Sequence, residues 1–563
     1  MAAAPLTLLP RTAHLPLPAA AADGTTTPAR LPWAPPRWLG ALALVALLTF
    51  IRRPTLSLYP QFIEDDGVFF EQSYHHGWRA LFIPYAGYLQ AVPRLIAWAA
   101  SFLPLRFEPA FYHAAAVAVC LAVVARIFRP GIRLPCKTAL AIAIPLVPHD
   151  FDAEVLGNAT NTQWMVALMP VLLLIDENTP TGWRAAWDLV LLATAGLSGP
   201  FVLLSVPLFA ARWLWVARTR WHAWCLGVAV FCSVVQAWFI HRQHGSPAMV
   251  PTLDQWLAFL AWRPVSPLFF GRVLSTRFVA PGAAAVILLG VGVFLVLLNR
   301  HRPAWRWATV VFATFGGSVL AGSTLRFLTV PDIFVFIDNG DRYFFLPRLM
   351  LVWCLLVHAR AHIGWRRGLL WVLLAAVASA SLADLCTRSV PDGRWAEQVA
   401  LLESGKVDTL MNFPKWRIFM EPKPTLGGEY ADVLGETPLR ILPPGDVARV
   451  VVGAEPFLQP HPGRSSLDYE AWAQHRILAG RYAAAPGLEG AVEFSVVYMP
   501  SHGRGEQVLW RGRLDPAHVP ADRGAHGFEI TLPPQMTGRI VLGSRPASDE
   551  VAAGGCWADI HFR

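Results

Sequence analysis

Charged residues are scarce in this chain of 563 residues, of which only 15% are Asp, Glu, Lys or Arg. Soluble domains contain about 25%. The seven cysteines form no CxxC pair and no spacing typical of a metal site. A glycine-rich phosphate loop is also missing. These absences exclude an ordinary soluble domain, a zinc-binding module and a P-loop nucleotide enzyme.

Hydrophobic residues make up 55% of the chain. They are concentrated in long apolar runs, the last of which ends near Cys386. A helix that crosses a membrane needs about 20 mostly apolar residues, which predicts a polytopic α-helical membrane protein with about eleven transmembrane helices. The predicted spans are 38–51, 110–128, 138–147, 160–175, 186–198, 201–216, 222–240, 279–298, 307–326, 343–358 and 368–385.

The basic residues indicate how the chain crosses the membrane. Up to Cys386 there are 29 Lys and Arg against 17 Asp and Glu, and beyond it 18 against 21. The basic residues fall in alternate loops, as the positive-inside rule requires, so the N-terminus is expected inside and the C-terminal region outside. This pattern argues against nucleic acid as a partner. Two pairs resist it, Asp176 with Glu177 on the inner side and Arg52 with Arg53 on the outer side.

Composition divides the chain into four parts. Residues 1–36 are expected to be a disordered cytoplasmic tail, 37–386 the transmembrane domain with outer surface helices at 64–104, and 387–430 a membrane-proximal connector. Residues 431–563 contain period-two segments at 492–498, 507–511, 528–532, 538–542 and 557–562, which predict an antiparallel β-sandwich. A disulfide between Cys386 and Cys556 is possible in an oxidising compartment, and the sequence does not decide whether the two cysteines meet.

An acidic loop follows the first predicted span. It contains Glu64, Asp65 and Asp66, followed by Gly67, which permits a sharp turn. Neighbouring carboxylates at a membrane surface repel one another, which raises carboxyl pKa values and suits proton abstraction from a hydroxyl group. A solvated acidic loop or the N-terminus of a helix capped by Glu64 and Asp65 explains the same residues equally well.

The order of elements resembles the GT-C superfamily of integral-membrane glycosyltransferases, specifically its poorly characterised bacterial members. The similar blocks are residues 64–70, 85–89 with Pro93 and Arg94, 158–164, 196–200 and 341–344. The outer β domain resembles, in architecture alone, the carbohydrate-binding modules of mycobacterial arabinosyltransferases. The resemblance covers roughly residues 38–420 and implies a bacterial inner-membrane protein with a periplasmic C-terminal domain.

The resemblance also implies an activity. Members of this superfamily transfer a monosaccharide, with inversion, from a polyprenyl-phosphate donor to a glycan, lipid or protein acceptor of the cell envelope. Their catalytic base lies in the first acidic loop, which carries over to Asp66 or Asp65. Asp66 is preferred because its Asp-Gly pair matches better, and Asp65 and Glu64 would then orient the base or the acceptor.

A departing lipid phosphate requires cations, and the arginine fork binds two oxygens at once. The candidates are Arg94, Arg342 and Arg348, followed by Arg52 and Arg53, whose position on the outer side this role would explain. Interfacial snorkelling is the alternative. It is the favoured interpretation for Arg52 and Arg53, and the two interpretations are equally balanced for Arg342. Arg94 lies in an apolar run, where an unpaired charge is expensive, so a functional partner is favoured there.

The remaining candidates line the outer loops. Tyr85, Tyr88, His149 and Tyr343 are candidates for binding the acceptor or the sugar. Asp150, Asp152 and Glu154 could hold a divalent cation, Mg²⁺ or Ca²⁺, although a solvated loop is the favoured interpretation.

Two other functions remain open. A transporter or flippase of lipid-linked glycans would need charged pairs deep in several spans and two related halves, and the sequence contains neither. A non-catalytic glycan-binding protein of envelope assembly would use the β domain as its working part.

Overall fold

The computed structural model describes residues 36–563 apart from several segments. The segments outside the description are 148–154, 243–250, 278–279, 301–304, 328–339, 386–391, 405–408, 413–416, 420–439, 443–447, 460–464, 472–475, 489, 501–505, 534–537 and 548–553. Apart from Pro36, the predicted cytoplasmic tail lies outside the described residues, as does Cys386.

Each predicted span overlaps a helix or, at 160–175, two short helices, because the apolar runs that predict the spans also bury their side chains against one another. The helices are α1 Arg37–Arg52, α2 Pro54–Leu58, α3 Asp66–His76, α4 Ala91–Ala100, α5 Glu108–Ile127, α6 Lys137–Leu146, α7 Thr162–Val166, α8 Leu168–Ile175, α9 Gly182–Gly196, α10 Phe201–Ala211, α11 Arg220–Arg242, α12 Leu253–Leu257, α13 Arg263–Arg277, α14 Pro281–Arg300, α15 Arg306–Phe327, α16 Phe345–Ala361, α17 Gly364–Leu385 and α18 Trp395–Glu403.

Among the described residues, six helices are long and apolar enough to cross a membrane. They are α5, α11, α14, α15, α16 and α17, and the other apolar helices are shorter. The predicted number of about eleven spans is therefore not confirmed. Helix α16 lies at the centre of the bundle and is buried along most of its length, whereas α14 exposes most of its apolar surface.

A closed cluster of charges joins the helices at the end of the bundle away from the acidic loop. Asp188 of α9 accepts hydrogen bonds from Arg126 at 2.6 Å and from Arg129 at 2.7 Å. Asp176 lies 3.5 Å from Arg129, and Glu177 pairs with Arg133 at 3.2 Å. The acidic residues that resist the positive-inside rule are thus the partners of the basic residues beside them. We call Arg126, Arg129, Asp176 and Asp188 the closed cluster.

In the described part of the C-terminal region, ten strands form two antiparallel sheets of five, in the orders β10-β7-β12-β5-β4 and β3-β6-β11-β8-β9. The strands are β3 Arg440–Leu442, β4 Ala448–Val452, β5 Glu455–Gln459, β6 Ser465–Ala471, β7 Ile477–Ala484, β8 Val492–Pro500, β9 Gln507–Leu514, β10 His526–Thr531, β11 Gly538–Pro546 and β12 Gly555–Phe562. Both sheets contribute to one apolar core, which includes Phe457, Phe494 and Trp557. Cys556 is buried in that core.

The segment between the last helix of the bundle and the β domain packs on the acidic loop. It consists of α18 and a two-stranded sheet, β1 Thr409–Met411 with β2 Arg417–Phe419. Trp395 of α18 packs against the rings of Phe62 and Phe70, which flank the acidic loop. The β domain reaches the same helix α3 through an ion pair of 3.3 Å between Arg539 and Glu71.

Candidate active site

The acidic loop is a tight turn that leads into α3. Glu64 has a left-handed backbone with φ of 48°. The amide of Gly67 then donates to the carbonyl of Glu64 at 3.1 Å, and that of Val68 to the carbonyl of Asp65 at 3.0 Å. Because the chain turns through this segment, the three adjacent carboxylates reach different partners.

Asp66 is directed into the protein and is only 2% exposed. Its carboxylate accepts hydrogen bonds from the Thr160 amide at 2.8 Å, the Thr160 hydroxyl at 2.7 Å and the Ala159 amide at 3.3 Å. Burial raises the pKa of Asp66 to about 7, although these hydrogen bonds act in the opposite direction. Asp66 therefore ties the start of α3 to the turn that precedes α7.

Asp65 is partly exposed and accepts a hydrogen bond of 2.5 Å from the Tyr85 hydroxyl. Tyr85 and Tyr88 form a two-residue hairpin in which Ala86 and Gly87 have φ of 52° and 86°. Positive φ at both central residues is the signature of a type I′ turn, which pairs the flanking residues directly. The turn therefore brings both tyrosines to the acidic loop.

Arg342 approaches the acidic loop from a distant part of the chain. Its guanidinium donates to the Glu64 carboxylate at 3.3 Å and lies 5.5 Å from the centre of the Tyr343 ring. Burial raises the pKa of Tyr85 and of Tyr88, while the charge of Arg342, close to both, acts in the opposite direction. Both phenols therefore remain protonated and can donate hydrogen bonds.

Six predicted residues thus meet in one place, all of them partly exposed. We call them the open cluster: Glu64, Asp65, Tyr85, Tyr88, Arg342 and Tyr343. It combines two carboxylates, one guanidinium and three phenols, and one of the carboxylates, Asp65, has a phenol rather than a cation as its partner. Such a set can take a proton, hold an anion and donate hydrogen bonds to a polyol.

Of the other predicted arginines, Arg348 and Arg94 contact residues outside the open cluster. Arg348 donates to both oxygens of Asp341, at 2.8 and 2.7 Å, and to the Arg263 carbonyl at 2.6 Å. Arg52 and Arg53 are buried at the end of α1. Arg94 is 1% exposed, lies 4.4 Å from the centre of the Phe69 ring, and its guanidinium makes no hydrogen bond with the residues that the structure describes.

Polar residues without a predicted role hold the open cluster in place. Gln236 of α11 accepts from the Leu89 amide at 2.9 Å and donates to the carbonyls of Leu89, Gly196 and Gly199. Gln236 thereby fixes the tyrosine hairpin to the break between α9 and α10. The sequence indicates Gln236 only as a single amide side chain within an apolar run. Burying a polar side chain there costs free energy, so such residues are usually functional or hydrogen-bonded.

No group of three metal-ligating side chains occurs among the described residues. The acidic loop does not fit a cation as it stands, because Asp66 is occupied by three donors and Glu64 by Arg342. The predicted ligands Asp150, Asp152 and Glu154, together with His149, lie outside the described residues.

No protein-family model matches this chain, and the comparison with curated proteins gives no match. Among solved structures, the chain is similar to the crystal structure of the Archaeoglobus fulgidus oligosaccharyltransferase in complex with Zn and sulfate, with 14% identity and a TM-score of 0.30. The match covers 65% of this chain and 56% of that protein, so the chain spans little more than half of its length. Similarity at this level identifies neither a family nor an activity.

Proposed function

We propose that this chain is an inverting glycosyltransferase that moves a monosaccharide from a polyprenyl-phosphate donor to a cell-envelope acceptor. The observation that carries the proposal is the open cluster, in which the partly exposed Asp65 accepts from Tyr85 and the cation Arg342 pairs with the neighbouring residue, Glu64. The motif order of the sequence, which resembles the GT-C superfamily, supports it independently.

In the proposed reaction, Asp65 takes the proton of an acceptor hydroxyl as that oxygen attacks the anomeric carbon. The bond between this carbon and the phosphate oxygen breaks on the opposite face, and its electron pair leaves with the polyprenyl phosphate. Arg342 stabilises the charge that develops on the departing phosphate. The configuration at the anomeric carbon inverts, and Asp65 returns its proton to water.

Asp65 is a better candidate for the base than Asp66 on geometric grounds. A base must come within hydrogen-bond distance of the proton it removes. Asp65 is partly exposed, whereas Asp66 is buried and already accepts three hydrogen bonds. The pKa of about 7 for Asp66 would suit a base, yet a substrate would have to displace Thr160. We assign Asp66 to positioning.

The remaining parts of the proposal concern substrate binding and the location of the chain. Tyr88 and Tyr343 would bind the acceptor or the sugar through their hydroxyl groups and rings. The chain would lie in a bacterial inner membrane with the open cluster and the β domain on the periplasmic side, and the β domain would bind the growing glycan. The phosphate role of Arg94, Arg348, Arg52 and Arg53, and the cation at Asp150, Asp152 and Glu154, stay predictions.

The test uses the full chain in nanodiscs with short-chain polyprenyl-phosphate mannose, glucose, galactose and arabinose. Release of polyprenyl phosphate is measured with an envelope extract as acceptor. Removing a general base lowers the rate by about 10²–10⁴-fold, which is expected for Asp65→Asn. Asp254→Asn, which removes an exposed carboxylate on α12, is the matched control.

Two outcomes would reject the proposal. One is a folded wild-type protein that releases polyprenyl phosphate from none of the four donors. The other is full activity, equal to that of the Asp254→Asn control, in both Asp65→Asn and Asp66→Asn. Full activity of Asp65→Asn with loss in Asp66→Asn would move the base to Asp66 instead.

A further inference from the structure

The segment between α17 and the β domain contacts the acidic loop at two places. On one side, Trp395 packs on Phe62 at 4.8 Å between ring centres and donates to the Leu105 carbonyl at 3.2 Å. Gln398 makes the segment one unit, because its amide accepts from the Met411 amide and donates to the carbonyls of Met411 and Gly393. These bonds tie Met411, the residue before Asn412, to α18.

Asn412 contacts the acidic loop at its most unusual residue. Its side-chain amide donates to the Glu64 carbonyl at 2.6 Å across 348 residues of chain, and the side chain is 4% exposed. Gly67 leaves the space for this contact, since a Cβ atom there would lie 2.6 Å from the same Asn412 nitrogen. Asn412 also fits the loop by shape, because only glycine at residue 67 admits it.

The left-handed backbone of Glu64 needs support of this kind. Non-glycine residues with φ near 50° are strained, and they persist only where the surroundings hold them. The Glu64 carbonyl already accepts from the Gly67 amide, so the Asn412 amide is its second donor. Without Asn412, Glu64 can relax to negative φ, which turns its carboxylate away from Arg342 and moves Asp65 relative to Tyr85.

We propose that Asn412 is a positioning residue that holds Glu64 left-handed and thereby sets the geometry of Asp65 and Arg342. A residue beyond the last membrane helix thus determines the shape of a loop near the start of the chain. The effect on transfer rests on the proposed function, whereas the effect on the loop does not.

The first measurement is hydrogen–deuterium exchange of the full chain in nanodiscs. We expect Asn412→Ala to speed exchange of the Gly67 amide at least tenfold, because its acceptor is no longer held. Asn412→Asp keeps the shape, lacks the donor when ionised, and serves if the alanine variant folds poorly. Asn178→Ala, at an exposed asparagine elsewhere, is the control. Exchange within twofold of wild type in both Asn412 variants would overturn the proposal.

The second measurement is polyprenyl phosphate release from the donor panel. We expect Asn412→Ala to lower kcat 10–100-fold with KM for the donor changed less than threefold, because geometry rather than binding is lost. Glycine adopts positive φ without strain. In a Glu64→Gly background, Asn412→Ala should therefore lower kcat less than twofold further.

The outcomes separate the two proposals. Equal losses from Asn412→Ala in the wild-type and Glu64→Gly backgrounds, or an unchanged kcat, would overturn the positioning role. A wild-type protein without turnover would overturn the glycosyltransferase, while the exchange data would still decide the hold of Asn412 on Glu64.

Discussion

The open and closed clusters are two concentrations of charge in the described helical bundle, and they differ in how far their charges are satisfied. In the closed cluster, Asp188 is almost fully buried and both of its oxygens are bound by Arg126 and Arg129. In the open cluster, the corresponding pairs are partly exposed, and Asp65 has a phenol rather than a cation as its partner. Saturated charges hold helices together, whereas charges with spare capacity can engage a substrate.

The largest effect is expected from breaking the closed cluster. Removing one partner of a buried ion pair costs about 3–5 kcal/mol, so Asp188→Ala should lower the Tm of the purified protein by roughly 5 °C or more. Glu177→Ala breaks the exposed pair with Arg133 and should cost less than about 1 kcal/mol. Equal Tm values for the two variants would remove the distinction between the clusters.

The next effect is on transfer. Arg342→Gln should lower polyprenyl phosphate release by about 10²–10³-fold, as expected when one group that stabilises transition-state charge is lost. Its Tm should stay near that of wild type, because the pair with Glu64 is partly exposed. A large fall in Tm with unchanged turnover per folded molecule would make the open cluster structural as well.

A smaller effect concerns the pH dependence of stability. Because the pKa of Asp66 is raised from 3.8 to about 7 on folding, its contribution to stability is fully present below pH 4 and is lost as pH rises through 7. Asp66→Asn removes this dependence. The Tm of wild type minus that of Asp66→Asn should therefore fall between pH 5 and 7 and level off above it. Parallel Tm profiles from pH 5 to 8 would contradict the prediction.

The smallest effect is expected at Arg94. A buried guanidinium without hydrogen bonds among the described residues contributes little to folding, and an apolar side chain of similar volume is neutral or stabilising. Arg94→Met should leave the Tm unchanged or raise it by about 1–3 °C. Arg348→Met should lower it, because Asp341 then loses its partner. A large fall in the Tm of Arg94→Met would show that Arg94 has a stabilising partner, as Arg348 has in Asp341.

The sequence predicts elements better than their contacts. Every apolar run that was predicted to be a span contains helix in the structure. Burial in a helical bundle and solubility in a membrane select the same apolar residues. Five strands were predicted from alternation, and all five are present. The strands from β3 to β7 were not predicted, because segments such as Ile477–Ala484 are largely buried and lack a clear polar face.

The candidate site was predicted as a set of residues and not as a geometry. The motif blocks selected all members of the open cluster. Side-chain direction in the acidic loop was not predictable, because it depends on the positive φ of Glu64, whose carbonyl accepts a hydrogen bond from Asn412, 348 residues away. The partner of Arg348 is Asp341, seven residues before it, and local spacing alone did not distinguish this ion pair from a phosphate site.

The contacts between the connecting segment and the acidic loop limit where this chain can be joined to another chain in a chimera. A chimera joined directly after α17 would combine one protein's acidic loop with another protein's residues 392–419, and a misfit at Gly67 or Phe62 would be built in. A junction placed beyond Phe419 would keep the loop and the connecting segment from one parent. The unit of exchange for the helical bundle therefore extends beyond α17 as far as Phe419.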